Sequence, residues 1–507
     1  MLSVVVPGTG ARGLVSWGPR GFRPHGAAHD DADAHLPQDV DTRAHGIASC
    51  QETGLKNRRG RSFWGPAVFV AALCTYVLTV APSVLSSDSA EFQFVAHVWG
   101  VPHPTGYPTY VYLSKLFTLL PFGELAWRVN LLSVVFGAFS AWVLFRLALL
   151  LGAREPPAAA GALCLAFGRT FWSQGVVAEV HTLNTFLLGL LLFLALRLGR
   201  RYSPRDLWAW TGVAALAMGN HASTTILLPI LAWIFLRRDT VRAHWRELVA
   251  AFFVLLALVL VLYAYVPLRA LPRRSVTDLF AWDVVAGVWD YMSGGQFQGR
   301  MLAYGPGDQP TRLAYGLRQL GFEAGWVGLP LALIGIPSLK SARERYSILA
   351  MGLVIAVYAM NYDVRDSDVF FVPAHFVVAL FASLGLDRLW QRGRDASRAQ
   401  RWALGLALVL LPLGLLLANH AANDRSADFE DGRWGRATLA LLEPEARIFL
   451  PWERRCTLVY LQVAEGLRPD VQVHGIAGYR GRLAELARSG PVYRLDATGS
   501  LVRVLPD

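Results

Sequence analysis

Apolar and polar positions along this chain separate into long apolar runs divided by polar stretches. Apolar runs lie near 65–85, 128–151, 157–172, 179–198, 207–220, 222–236, 248–267, 321–338, 346–361, 369–388 and 401–419. Runs of this kind fit helices that cross a bilayer, whose hydrocarbon core takes roughly 20 residues of helix. Two of them, 157–172 and 207–220, are short and fit tilted, broken or re-entrant helices. The pattern predicts a mainly α, polytopic membrane protein with about eleven transmembrane helices over 61–419 and external loops at 86–127 and 268–320. From about 420 onward charge is mixed and short alternating runs such as "ARIFLP" and "TLVYLQVAEGLRPDVQVHG" predict a small α/β domain over 420–507. Residues 1–60 hold no long apolar run and are rich in Gly, Arg, His and Asp. They predict a disordered cytosolic tail, or a start codon placed too early, and His25, His29, His35 and His45 belong to that tail. No signal peptide precedes the first run, which would act as an uncleaved signal anchor.

Charge orients the spans. Lys56, Arg58, Arg59 and Arg61 precede the first run and set the N-terminus in the cytosol. After every second span comes another basic loop: Arg154; Arg197, Arg200, Arg201 and Arg205; Arg237, Arg238, Arg242 and Arg246; Lys340, Arg343 and Arg345; Arg388, Arg392, Arg394, Arg398 and Arg401. The alternation predicts that everything after 420 lies outside the cytosol. It also accounts for the net charge of +11, which would otherwise suggest a nucleic-acid partner. Composition agrees: 54% of residues are hydrophobic, 17% are charged, and mean hydropathy is +0.36, which excludes an ordinary soluble domain. Trp127, Trp142, Trp172, Trp208, Trp210 and Trp245 sit near span ends, as interface anchors do. Cys50, Cys74, Cys164 and Cys456 show no paired spacing, so neither a metal site nor a disulfide framework is expected.

Unusual polar residues collect on the non-cytosolic side. The first external loop opens "SSDSAEFQFVAHVWGVPHPTGYPTY", Ser86 to Tyr110, with two carboxylates, two histidines and no Lys or Arg. Glu179 and His181 stand in "WSQGVVAEVHTLN", Asn220 and His221 in "MGNHAST", Arg269 in "YVPLRA", and Asp363, Asp366 and Asp368 in "NYDVRDSDVFFVP". Ionisable groups near membrane depth are costly, about 2.5–3.5 kcal/mol each on insertion scales, and mark functional sites. Taken alone, "SDSAE" also reads as a helix start, with Ser87 or Asp88 as cap and Glu91 in the first turn. "GNH" also reads as a tight turn. The prolines at 102, 104 and 108 stiffen the segment holding His103 and Tyr107. A carboxylate at a partly dehydrated interface suits a general base that deprotonates an attacking alcohol. Arg269, Arg273, Arg274 and Arg300 put positive charge on the side where topology disfavours it. Lipid headgroups and a lipid-linked phosphate substrate are the two anions that would draw it there.

The stretch "DSAEFQFVAHVWGVPHPTGYPTYVYLSKLFTLLPFGELAWRVNLLSVVFGA" resembles the signature of the DUF2723 family, polytopic membrane proteins of the GT-C glycosyltransferase superfamily that include a eukaryotic protein O-mannosyltransferase. The resemblance runs on through "WSQGVVAEVHTLN", "ALAMGNHASTTILLP", "YVPLRA", "YMSGGQFQGRM", "DSDVFFVPAH" and "YLQVAEGLRPDV", from about 65 to the C-terminus. It implies transfer of a sugar from a polyprenyl carrier to an acceptor outside the cytosol, with an acidic residue of the first external loop as the catalytic group. By position that residue is Asp88, with Glu91 second. It further implies His103, Tyr107, Glu179, His181, Asn220, His221, Arg269, Gln296 and Asp366 as pocket residues. At 181 the chain departs from the pattern, with His where the family more often has Tyr.

Together these readings give an integral protein of a bacterial inner (plasma) membrane, with its site facing the exterior. It would transfer a sugar, mannose among the candidates, from a polyprenyl-phosphate carrier to a protein or glycan acceptor by a metal-independent inverting step. No cofactor, divalent metal or nucleic acid is expected; membrane lipid is. A diphosphate donor would instead call for a metal held by Asp88, Glu91 and Asp366. A lipid-linked sugar flippase or transporter is the alternative from another class, and a membrane scaffold a third. One-sided polar residues and the lack of a visible internal repeat speak against the flippase.

Overall fold

The computed structural model describes residues 63–270, 287–393, 397–476 and 481–506. The expectations for the tail 1–60, its histidines, Cys50, Arg273 and Arg274 lie outside the described residues. The rest is mainly helical, with a small sheet near the C-terminus. Five helices are long and apolar enough to cross a membrane: Leu125–Leu150, His181–Arg200, Arg238–Arg269, Val369–Arg392 and Arg398–Asn423. A sixth crossing is added if a bent pair is counted as one span, and Trp64–Thr79 and Ser223–Trp233 are shorter apolar helices. Length and composition therefore do not by themselves reproduce eleven spans. The chain is an integral membrane protein.

Two predicted runs are broken. In 157–172 one helix ends at Ala166 and another starts at Arg169. In 321–338 the helices on either side of Ala324–Val327 meet at 92°, because Gly325 and Trp326 take left-handed backbone at φ 62° and 61°. The breaks meet at one buried carboxylate. Glu323 accepts the N–H groups of Thr170 (2.7 Å) and Phe171 (2.8 Å), satisfying the start of the helix Arg169–Gly175. Trp172 and Trp210 are buried, and Trp172 Nε1–H donates to Thr79, so these two are core residues instead of interface anchors. Trp208 and Trp245 are exposed.

Ion pairs gather the basic loops. Arg154 pairs with Asp387 at 3.2 Å and Arg200 with Glu344 at 3.1 Å, and Arg200 also donates to the Leu150 carbonyl. Four loops read as cytosolic are thus drawn together.

At the other end, the helix Ser87–Val98 is buried along most of its length. Gln93 donates to Asn130, which donates to the Ala81 carbonyl, both at 2.9 Å, pinning this helix to Leu125–Leu150 and to the exit of the first span. The C-terminal sheet has four strands, β1 (Arg447–Leu450), β2 (Gln472–Gly475), β3 (Val492–Leu495) and β4 (Leu501–Val504), in the order β2-β1-β3-β4. β1 is parallel to both β2 and β3, and β4 is antiparallel to β3. The helix Trp452–Glu465 crosses from β1 to β2. Its core is continuous with the first external loop: Val84, Ala90 and Phe94 share one apolar cluster with Ile448, Leu450, Leu458 and Leu461. Thr457 donates to the Leu85 carbonyl and Ala126 N–H donates to Tyr460, each at 3.0 Å. The predicted boundary at 420 falls inside the helix Arg398–Asn423.

Candidate active site

Asp88 stands in the first turn of Ser87–Val98, but no side chain caps that helix. The capping reading of Asp88 therefore does not describe this structure. Its Oδ1 instead accepts the indole Nε1–H of Trp452 at 2.7 Å, and its Oδ2 lies 3.9 Å from His103 Nε2. The Asp88 side chain keeps 31% of its surface open, while Glu91, one helical turn on, has none. Both Glu91 oxygens are taken by His103, from the backbone N–H (2.8 Å) and from Nδ1 (2.5 Å). Glu91, expected as the second catalytic carboxylate, sits behind His103 and orients it, while Asp88 reaches the open side.

His103 Nε2 meets the Tyr107 hydroxyl at 3.0 Å. Burial pushes the imidazole pKa down, but Glu91 and Asp88 oppose this and raise it to about 9. His103 is therefore an imidazolium at neutral pH and donates from both nitrogens. Burial raises Glu91, held back by His103. The loop between these residues is strained: Ser87, Trp99 and Tyr107 all take positive φ, a cost of order 1–3 kcal/mol each that the surroundings must hold in place. Tyrosines do so. Tyr265 donates to the Gly106 carbonyl at 3.2 Å, and Tyr291 donates to the Pro102 carbonyl. Gly106 is required at φ 88°, and a Cβ there would lie 3.2 Å from Tyr291.

The other expected residues take different positions relative to this loop. Glu179, at the start of the helix His181–Arg200, is within electrostatic range of Asp88, Asp366 and His103, and Asp366 of Asp88 and His103. His221 lies 6.3 Å from the Tyr107 ring and 5.7 Å from the His181 ring, with Phe370 5.8 Å away. Ser223 N–H donates to His221 Nδ1 at 3.2 Å, which fixes Nδ1 as acceptor. Asn220 is fully buried and donates to the Val180 carbonyl at 3.2 Å, joining two helix ends. Gln296 is exposed on the short helix Gly295–Gln298. Arg269, expected to meet the carrier phosphate, donates Nε to the Trp99 carbonyl (2.8 Å) and Nη2 to the Val98 carbonyl (2.9 Å), so its fork clamps the end of the Asp88 helix. Among the described residues no group of three His, Cys, Asp or Glu is placed to hold a metal.

Trp452 was missed by the sequence reading. It lies 364 residues from Asp88 in a segment whose local signal is only a strand end followed by a helix start.

Residues 88–244 match the family described as the protein O-mannosyl-transferase TMEM260 N-terminal domain. The chain is 25% identical over 464 residues to the mouse protein O-mannosyl-transferase TMEM260, covering 84% of this chain and 64% of that protein. It is 22% identical over 497 residues to the Dictyostelium discoideum protein of the same description, covering 84% and 60%. The chain thus spans under two thirds of the length of these relatives. Among solved structures it is similar to ArnT from Cupriavidus metallidurans bound to undecaprenyl phosphate, with TM-score 0.59, 13% identity and coverage of 87% of this chain and 94% of that one. The apo oligosaccharyltransferase of Archaeoglobus fulgidus matches at TM-score 0.50, with 14% identity and coverage of 82% and 65%. These likenesses give the fold, shared with those transferase structures, and the sequence is similar to proteins described as protein O-mannosyl-transferases.

Proposed function

From that similarity and fold, we propose that the chain is a membrane glycosyltransferase. It moves a sugar, mannose first among candidates, from a polyprenyl-phosphate carrier to a hydroxyl of a protein or glycan, at the outer face of a bacterial inner (plasma) membrane. The observation that carries the reading is the Asp88 carboxylate, one oxygen fixed by Trp452 and the other open beside the His103 imidazolium. Two relatives described as protein O-mannosyl-transferases and a fold neighbour described as bound to undecaprenyl phosphate support the donor class.

In the proposed step the acceptor oxygen attacks the anomeric carbon as Asp88 Oδ2 takes its proton. The bond from that carbon to the phosphate oxygen breaks with its electron pair, and polyprenyl phosphate leaves from the opposite face, inverting the centre. His103, its Nδ1 held by Glu91 and its Nε2 by Tyr107, puts positive charge beside Asp88 Oδ2 on the acceptor side. Glu179 and Asp366 offer acceptors for sugar hydroxyls. A monophosphate leaving group needs no divalent metal.

The test supplies vesicles containing the protein with radiolabelled polyprenyl-phosphate mannose on the outside and measures label in protein and glycan. Transfer should persist in EDTA. Asp88→Asn, nearly isosteric and still able to accept from Trp452, should lower turnover about 10²–10⁴-fold with the fold kept. A flippase would instead redistribute the labelled lipid with no new glycosidic bond. Full activity in Asp88→Asn would sink the mechanism.

A further inference from the structure

We propose that Trp452 is a positioning residue for Asp88, so that the C-terminal α/β domain completes the active site. The inference rests on the reading of Asp88 as the base and adds what holds that base in place. Besides the Ser87 hydroxyl, 3.4 Å from Oδ1, two hydrogens compete for the Asp88 carboxylate. One is the indole N–H at 2.7 Å from Oδ1; the other is the His103 imidazolium at 3.9 Å from Oδ2. Without the indole, rotation about the Asp88 side chain would close the remaining gap into a contact ion pair. The Oδ2 that faces an acceptor hydroxyl would then be drawn onto His103.

The indole is well anchored for this task. Trp452 is the first residue of its helix, following Pro451 directly after β1, whose last residue Leu450 is fully buried. The helix packs on Ser87–Val98 through the shared apolar cluster, and the indole stands edge-on to His103 at 6.4 Å between ring centres. Rigid elements on both sides therefore fix the indole relative to the carboxylate, as a preorganised site requires.

A purely structural indole would serve only to dock the domain, and three variants in the full-length protein separate the two roles. Trp452→Phe keeps the apolar packing and loses the N–H; turnover in the mannose-transfer assay should fall about 10- to 100-fold, with the donor KM unchanged. Trp452→Gln restores a donor and should recover part of that loss. Tyr460→Phe removes a docking hydrogen bond of the same helix, to Ala126 instead of Asp88, and should leave turnover intact. A second readout needs no activity. The Trp452 indole proton, identified by its disappearance from the indole NMR spectrum of Trp452→Phe, should move upfield in Asp88→Asn because the acceptor loses its charge. Wild-type turnover in Trp452→Phe, an equal loss in Tyr460→Phe, or an unmoved indole resonance in Asp88→Asn would each overturn the proposal. If the wild-type protein transfers no mannose, the assigned function fails, while the NMR arm still decides whether Trp452 holds Asp88.

Discussion

Between Glu91 and Asp88, the His103 imidazole keeps a proton that burial alone would remove, and its pKa rises to about 9 from an ordinary value near 6.5. A cation bound more tightly in the folded state stabilises that state fully below the unfolded pKa. The contribution is then lost as pH rises through the folded one. Thermal midpoints should accordingly fall as pH rises from about 6.5 to about 9 and level off above it, and that fall should flatten in His103→Gln. An equally steep alkaline fall in His103→Gln would show that His103 is not the group responsible. Burial also raises Glu91, and His103 opposes that shift. Much at this scale was legible in advance. A histidine flanked by prolines, close in sequence to two carboxylates, has few places to go. The division of labour between Asp88 and Glu91 was not legible, because a helical turn separates an open face from a closed one only once the neighbours are known. Trp452 was illegible for a plainer reason: its partner is distant in sequence and the local pattern around it is ordinary.

Helix ends carry the site, and Arg269 illustrates how. Its fork donates to the carbonyls of Val98 and Trp99, the unsatisfied end of the helix that begins beside Asp88. Sequence reasoning saw a cation on the disfavoured side and assigned it an anion; the structure supplies helix carbonyls, whose partial negative charge serves the same need. Arg269→Ala should therefore lower the thermal midpoint, by the equivalent of about 1 kcal/mol for a pair of partly exposed charged hydrogen bonds. Turnover should fall with it while donor KM stays put. Arg269→Lys should recover little, since one ammonium cannot span both carbonyls. A raised donor KM with an unchanged midpoint would restore the phosphate role. The spans themselves were legible as apolar runs, but not their breaks. Nothing in the hydropathy of 321–338 shows that Gly325 and Trp326 turn left-handed. Nor does it show that Glu323 caps a second broken run from across the bundle.

Topology at the scale of the whole molecule turns on parity, which survives uncertainty in any single span. The basic loops containing Arg154, Arg200 and Glu344, and the turn after Asp387, are joined by ion pairs on one face. Asp88, His103, Tyr107, His221 and Trp452 gather around the other set of helix ends. The C-terminal sheet shares its core with the first external loop, so it must lie on the same side of the membrane as Asp88. Lys56, Arg58, Arg59 and Arg61 before the first span favour a cytosolic start, and the loop at Asp88 follows that first span. With the first span crossing, we predict an odd number of crossings between its start and Asp507, whether the broken runs at 157–172 and 321–338 count as full spans or not. Fusing a reporter that is active only in the cytosol after Asp507 should give no signal, and a reporter active only outside should give one. The reverse pattern would place the α/β domain in the cytosol. It would also remove Trp452 from the face where a lipid-linked sugar is presented, which would undo the assignment of Asp88 as an external base.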